Sequence, residues 1–309
     1  MIRQNILSDE GVLQQFIDGV LAIKDPARFP WPGQPGLSIY DFFVAWHHQS
    51  MMLFTPPTQR DRNSAHSGPA FLPWHRYFLL RFEGYLRTAL SDNDFRLPYW
   101  DWSADAALSN PRQSPIWSQE ALGRFTQPAI WQVRIVPGTR GLTRLAQPRP
   151  LDRDLGALGG ALPTRDAVRT VLRNQVVYDA PPYNSSSTGF RNYLEGWEGP
   201  ARIHNNVHVW IGGDMADSTS PNDPIFYLHH CNVDRIWQAW RIRYPNAPYV
   251  PPQSASNNLA FHRIDDALYS VFREAAPVTP RSVLNPQALG APFSAANHYD
   301  YDTLADLQG

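Results

Sequence analysis

Cysteine and lysine are almost missing from this chain: Cys231 and Lys24 are the only ones in 309 residues. A lone cysteine excludes an intrachain disulfide and any zinc module built from thiolates. Neither sign of charge dominates. With 27 Lys and Arg against 28 Asp and Glu, the formal charge is -1, which gives no electrostatic case for nucleic acid or an anionic membrane surface as partner. No stretch approaches the roughly 18 consecutive apolar residues of a membrane span. The opening MIRQNILSDEG has neither the apolar run nor the small-residue cleavage site of a secretory signal. The expected location is therefore cytoplasmic, or outside only through export with a partner.

What is present is apolar and aromatic. Hydrophobic residues make up 43% and aromatics 13%, with 11 Trp, enough for a sizeable packed core. The 29 prolines cluster and divide segments of helical period. Residues 9–24 place Leu13, Phe16, Ile17, Val20 and Leu21 on one face. Residues 38–54 open with Ser38 and Asp41 in capping-box spacing. A third helix is expected over 73–90, with Pro73 in its first turn, and a fourth over 200–211, from Pro200 to the Gly212-Gly213 stop. A fifth runs from Asp223-Pro224 to about Tyr244. Residues 101–162 show no sustained period and read as a long irregular excursion. The expectation is one mainly α domain, 1–309, with long loops and few short strands.

Eight of the ten histidines fall in two clusters: His47, His48, His66 and His75, then His204, His208, His229 and His230. His204 and His208, four apart, share a helix face. His47 lies late in one helix, His75 at the start of the next and His66 in the connection, so an antiparallel pair would bring all three together. Imidazole without thiolate or carboxylate doublets suits copper, zinc, iron or nickel. Spacing alone leaves open two coppers, a zinc hydrolase pair or two unrelated sites. A lone histidine in an apolar helix is ordinarily hydrogen-bonded core, and His262 and His298 are assigned to that class.

Longer motifs narrow the choice. AWH at 45–47, DRNSAH at 61–66 and FLPWHRYFLLRFE at 71–83 resemble the first copper motif of the tyrosinase family. IHNNVHVWIGG at 203–213 and NDPIFYLHHCNVDRIW at 222–237 resemble the second. LPYWDW at 97–102, FRNYLEG at 190–196 and Tyr299-Asp300-Tyr301, with Arg3 to pack against that tyrosine pair, extend the likeness over nearly the whole chain, most closely to bacterial members. The resemblance implies a four-helix bundle holding a dinuclear (type-3) copper centre, with two copper ions and O2 as co-substrate. It implies His47, His66 and His75 on one copper and His204, His208 and His230 on the other. His229, displaced about 100° from His230 around the helix, is then expected to face elsewhere. Asp234 is expected to orient a ligand imidazole, and Cys231 to point away from the metals.

The implied activity is ortho-hydroxylation of small phenolic substrates to catechols and oxidation of catechols to o-quinones. The alternative is a catechol oxidase or o-aminophenol oxidase without hydroxylation. Glu195 and Asn205 occupy the positions at which hydroxylating members hold a proton-accepting water. Ser64 stands where some relatives carry a cysteine linked to the second histidine, so that crosslink is not available. Val209 stands where close bacterial relatives often have arginine, and neutral or bulkier phenols are therefore expected to outcompete free tyrosine. The chain ends eight residues after Tyr301. No C-terminal lid domain is expected, and the enzyme is either active as made or loaded and covered by a copper-delivery, caddie-like partner protein.

Overall fold

A computed structural model describes residues 1–138 and 142–308. Helix α1 (Glu10–Lys24) is capped by Asp9, whose carboxylate accepts the Gly11 and Val12 N–H groups. Helix α2 (Ile39–Met52) begins with the reciprocal box read in the sequence: Ser38 accepts the Asp41 N–H, and Asp41 accepts the Ser38 N–H. The single lysine has a structural use, since Lys24 Nζ lies 2.5 Å from Asp41 Oδ1 and ties α1 to α2. Helix α3 (Phe71–Leu90) starts two residues ahead of the expected Pro73 and ends with Ser91 in the left-handed region.

A one-turn α4 (Trp102–Asp105), α5 (Arg165–Asn174) and α6 (Phe190–Glu195) lead to α7 (Ile203–Ile211). Helix α7 begins three residues later than Pro200 suggested, because Arg202 takes a left-handed backbone (φ 43°, ψ 46°) that no α-helix continues through. The expected glycine stop holds: Gly212 and Gly213 have φ of 67° and 50°. Helix α8 (Ile225–Arg243) opens with its Ile225 N–H donating to Asp223 at 3.0 Å. Two further short helices, α9 (Pro280–Val283) and α10 (Ala305–Gln308), lie near the C-terminal end.

The stretch 101–162 is more regular than its composition suggests. It holds an antiparallel pair, β2 (Val133–Pro137) with β3 (Thr143–Arg149), whose register shifts between Val133 and Ile135. The two ends of the chain meet as parallel strands, β1 (Ile2–Arg3) beside β4 (Asp300–Tyr301). One contiguous apolar core runs from Ile6 to Leu307, and α2, α3, α7 and α8 each send imidazoles into it. Among the described residues no helix is long and apolar enough to cross a membrane.

Candidate metal centre

Histidines at 47, 66 and 75 form one group whose ligand atoms all lie within 4.8 Å of one another, and those at 204, 208, 229 and 230 form a second. His47 and His75 come from α2 and α3; His66 arrives from the connection between them. That connection is pinned from several sides. Asn63 Oδ1 accepts the His66 N–H at 2.7 Å, Ser64 donates to the Ser50 carbonyl at 2.8 Å, and Arg62 donates to the Asn258 carbonyl. His262, expected to be ordinary, buttresses the same loop. Its Nε2 sits 2.9 Å from Thr55 Oγ1, and a Cβ on Gly68 would lie 3.0 Å from its ring. Nothing local to His262 signalled that role.

The two groups face each other. His75 and His230 stack with ring centres 4.2 Å apart and planes 11° from parallel, and His66 lies 6.1 Å from His204. His204 Nε2 and His230 Nε2 are 3.3 Å apart.

Tautomers follow from the outer nitrogens. His47 Nδ1 meets the Ser218 carbonyl at 2.8 Å, His75 Nδ1 the Phe71 carbonyl at 2.8 Å and His208 Nδ1 the Met215 carbonyl at 2.7 Å. His204 Nδ1 meets the Glu195 carbonyl at 3.1 Å and Asn205 Oδ1 at 3.0 Å. An oxygen of this kind only accepts, so each of these Nδ1 atoms carries the proton and each Nε2 keeps its lone pair. The Nε2 atoms of His47, His75 and His208 are buried without a hydrogen-bond partner. Burial also pulls the imidazoles down, His47 to about 3 and His208 to about 4, and the other four of the proposed set well below the usual range. They are neutral at pH 7, the form that binds metal. Buried, unprotonated and unsatisfied nitrogens converging in two groups fit a pair of soft-to-intermediate cations such as copper.

Two expectations, for His229 and Asp234, need correction. His229 does not face elsewhere: its ring stacks on His204 at 5.1 Å and 20°, and both of its nitrogens lack partners. A turn of about 100° moves the Cβ, but the imidazole is long enough to swing back towards its neighbours. Asp234 touches no imidazole. Its Oδ1 accepts Arg76 Nε at 2.6 Å, and its Oδ2 accepts Tyr299 and Tyr301 hydroxyls at 2.6 and 2.5 Å and Arg3 at 3.4 Å. One turn beyond His230 on α8, it locks α8 to α3 and to both chain ends. Glu195 is fully buried, and neither carboxylate oxygen is idle: Oε1 accepts the Ser67 N–H at 2.6 Å and Oε2 accepts Arg191 at 3.0 Å. Through Ser67 and through its own carbonyl, Glu195 joins the segment carrying His66 to His204. Burial pushes its carboxyl above the ordinary range against the pull of Arg191.

Cys231 does point away, its Sγ 3.4 Å from the Leu97 carbonyl, and burial pushes the thiol up to about 12. His48 also turns aside, its Nδ1 2.8 Å from Ser218 Oγ.

A cavity of about 480 Å³ opens onto both groups, walled by His47, His66, His204 and His208 with Met51, Met52, Trp197, Arg202, Asn205, Val209 and Asp217. Glu195 lies behind this wall rather than in it.

The family model for the common central domain of tyrosinase matches residues 37–243. A tyrosinase of Streptomyces antibioticus is 42% identical over 250 residues, covering 79% of this chain and 84% of that protein. Grixazone synthase of Streptomyces griseus is 35% identical over 272 residues, 77% of this chain and 83% of that one. Among solved structures, a polyphenol oxidase of Thermothelomyces thermophila shares the fold at a TM-score of 0.63 and 20% identity, over 97% of this chain and 88% of that one. An Octopus haemocyanin functional unit does so at 0.55 and 19%, over 98% and 68%.

Proposed function

The chain belongs to the tyrosinase family and has tyrosinase-like oxidase activity, and from that premise we propose that it ortho-hydroxylates monophenols to catechols and oxidises catechols to o-quinones with O2. The observation that carries this reading is the pair of facing imidazole groups with buried, proton-free nitrogens. His47, His66 and His75 would hold one copper, and His204, His208 and His230 the other. Copper held there supplies the redox chemistry, taking electrons from the phenol and passing them to O2.

The protein's own part is positional. The carbonyls of Ser218, Phe71, Met215 and Glu195 hold the outer nitrogens protonated and the rings in place. Trp197 and Val209 offer a phenol an apolar wall, and Phe226 packs 4.2 Å from the His230 ring. A phenol ionises near pH 10, so hydroxylation at neutral pH needs an acceptor for its proton. Asn205 lines the cavity and Glu195 lies behind it with raised basicity; this pair would hold the water that takes the proton.

A second reading is favoured by one specific observation. Both Glu195 oxygens are already engaged by Ser67 and Arg191, which leaves less capacity for a water and fits a catechol oxidase or o-aminophenol oxidase. Oxygen uptake by copper-loaded protein on a monophenol, with trace catechol scavenged, separates the two. Hydroxylation is expected, and Glu195→Gln should lower it by about tenfold or more while catechol oxidation changes far less, since a positioned base contributes about 10²–10⁴ in rate. Uptake with catechols alone would favour the second reading, and uptake with no phenol would end both.

A further inference from the structure

Arg202 enters the site cavity from an unusual backbone. It is a non-glycine residue at φ 43°, directly before α7, with no side-chain cap. Such a conformation costs a side-chain-bearing residue about 1 kcal/mol or more and would be free for glycine. The chain uses glycine close by, at Gly196 (φ 101°) and Gly199 (φ 80°), but not here. The surroundings hold the residue in place. A Cβ on Gly196 would lie 2.7 Å from the Arg202 carbonyl, so the 196–202 loop closes against it. The Asn206 N–H donates to the Arg202 carbonyl at 2.7 Å, and Asn206 Nδ2 to the Ala201 carbonyl at 2.9 Å.

Arg149, Arg153, Arg191 and Arg235 each reach a carboxylate at 3.0 Å or less. Among the described residues, the Arg202 guanidinium has no such partner; the residue is exposed and lines both the site cavity, with Trp197 and Asn205, and a neighbouring cavity of about 340 Å³ that also holds Glu198. The one acid in the same wall, Asp217, turns its Oδ1 to the Ser218 N–H and hydroxyl at 2.5 and 2.9 Å. The start of α7 adds the positive end of a nine-residue helix on the same side. His204 follows two residues later, so a phenol with its oxygen at the imidazoles and its ring along Trp197 would carry its para substituent toward this fork of unpaired N–H donors.

We propose that Arg202 is a specificity-determining residue that pairs with a carboxylate on the substrate's side chain, so that the site favours phenols with acidic tails over neutral ones. This rests on the phenol-oxidase reading. It replaces the expectation drawn from Val209, because the cationic group absent at 209 is supplied from the other end of the same helix turn pair. An arginine fork matches a carboxylate in shape as well as charge. The pair sits near water, so the effect is modest.

The test compares 3-(4-hydroxyphenyl)propionate, 4-ethylphenol and tyramine as substrates of the copper-loaded enzyme and its Arg202→Gln and Arg202→Gly variants. Glycine accepts the left-handed backbone without strain while removing the whole side chain, guanidinium included, so it guards against a folding effect of the glutamine. The ratio of kcat/KM for the acid to that for 4-ethylphenol should fall about three- to tenfold in both variants, through KM, and the ratio for tyramine should not fall. Added salt should lower the acid's ratio in the parent and not in the variants. A uniform loss across the three substrates, or no change in the ratio, would overturn the assignment. Should the parent oxidise none of the three, the phenol-oxidase reading fails on its own. Binding of the propionate, followed by quenching of tryptophan fluorescence, then decides Arg202: weaker binding in the glycine variant supports it, and equal binding refutes it.

Discussion

At the scale of single residues, adjacent histidines with opposite duties are the sharpest feature. His230 stacks on His75 of the opposite group, whereas His229 stacks on His204 of its own group. Both are buried and both lie within ligand reach of the second group. If His230 closes that group, His230→Ala should leave about one firmly held copper per chain, and His229→Ala should retain two. Metal analysis after removal of loosely bound ions reads the difference, and the reverse pattern would exchange their roles. The clustering of histidines was visible in the sequence because i,i+4 spacing and long motifs are local. The choice between neighbours was not, since it depends on how far a side chain swings once α8 is packed.

Among elements, the fit of α8 against α3 fixes how far apart the two groups lie. Arg76 follows His75 on α3, and Asp234 comes one turn after His230 on α8; their 2.6 Å contact sets the crossing of the two helices. Arg3, Tyr299 and Tyr301 complete the buried cluster, with Arg3 also 3.0 Å from Glu83. The sequence paired Arg3 with the tyrosines only through the family likeness, and it misassigned Asp234 because its partners lie 158 and 231 residues away. The capping box at Ser38 was legible for the opposite reason: both members lie within one turn.

Removing the Asp234 carboxylate leaves two buried guanidinium groups without their partner, and Asp234→Ala should cost about 3–5 kcal/mol in unfolding free energy, read by denaturant titration. Burial pushes Asp234 up, but Arg76, Arg3 and the two hydroxyls outweigh it and hold the group below its ordinary value. With a folded-state value below the unfolded one, its stabilisation is complete above about pH 4 and disappears as pH falls through the folded value. Asp234→Asn should therefore flatten the acid side of the stability profile. An unchanged profile would mean that other carboxylates govern acid unfolding.

For the whole molecule, the helical core was readable from period and proline punctuation, and the β2–β3 pair was not. Its second strand, TRLAQPR, is mostly exposed and carries a proline, so it shows no alternation of apolar and polar residues. The late start of α7 was hidden as well, because only the folded 196–202 loop forces Arg202 into a left-handed backbone. What the fold achieves as a unit is the convergence of four helices and one pinned loop on two groups of neutral imidazoles in a largely apolar interior. Copper content is the most direct measurement of that claim. Protein stripped of metal, saturated with Cu(I) and freed of loosely held ion is predicted to retain two coppers per chain, falling to about one in His75→Ala. Retention of one or none by the unaltered chain, or of two by that variant, would contradict it.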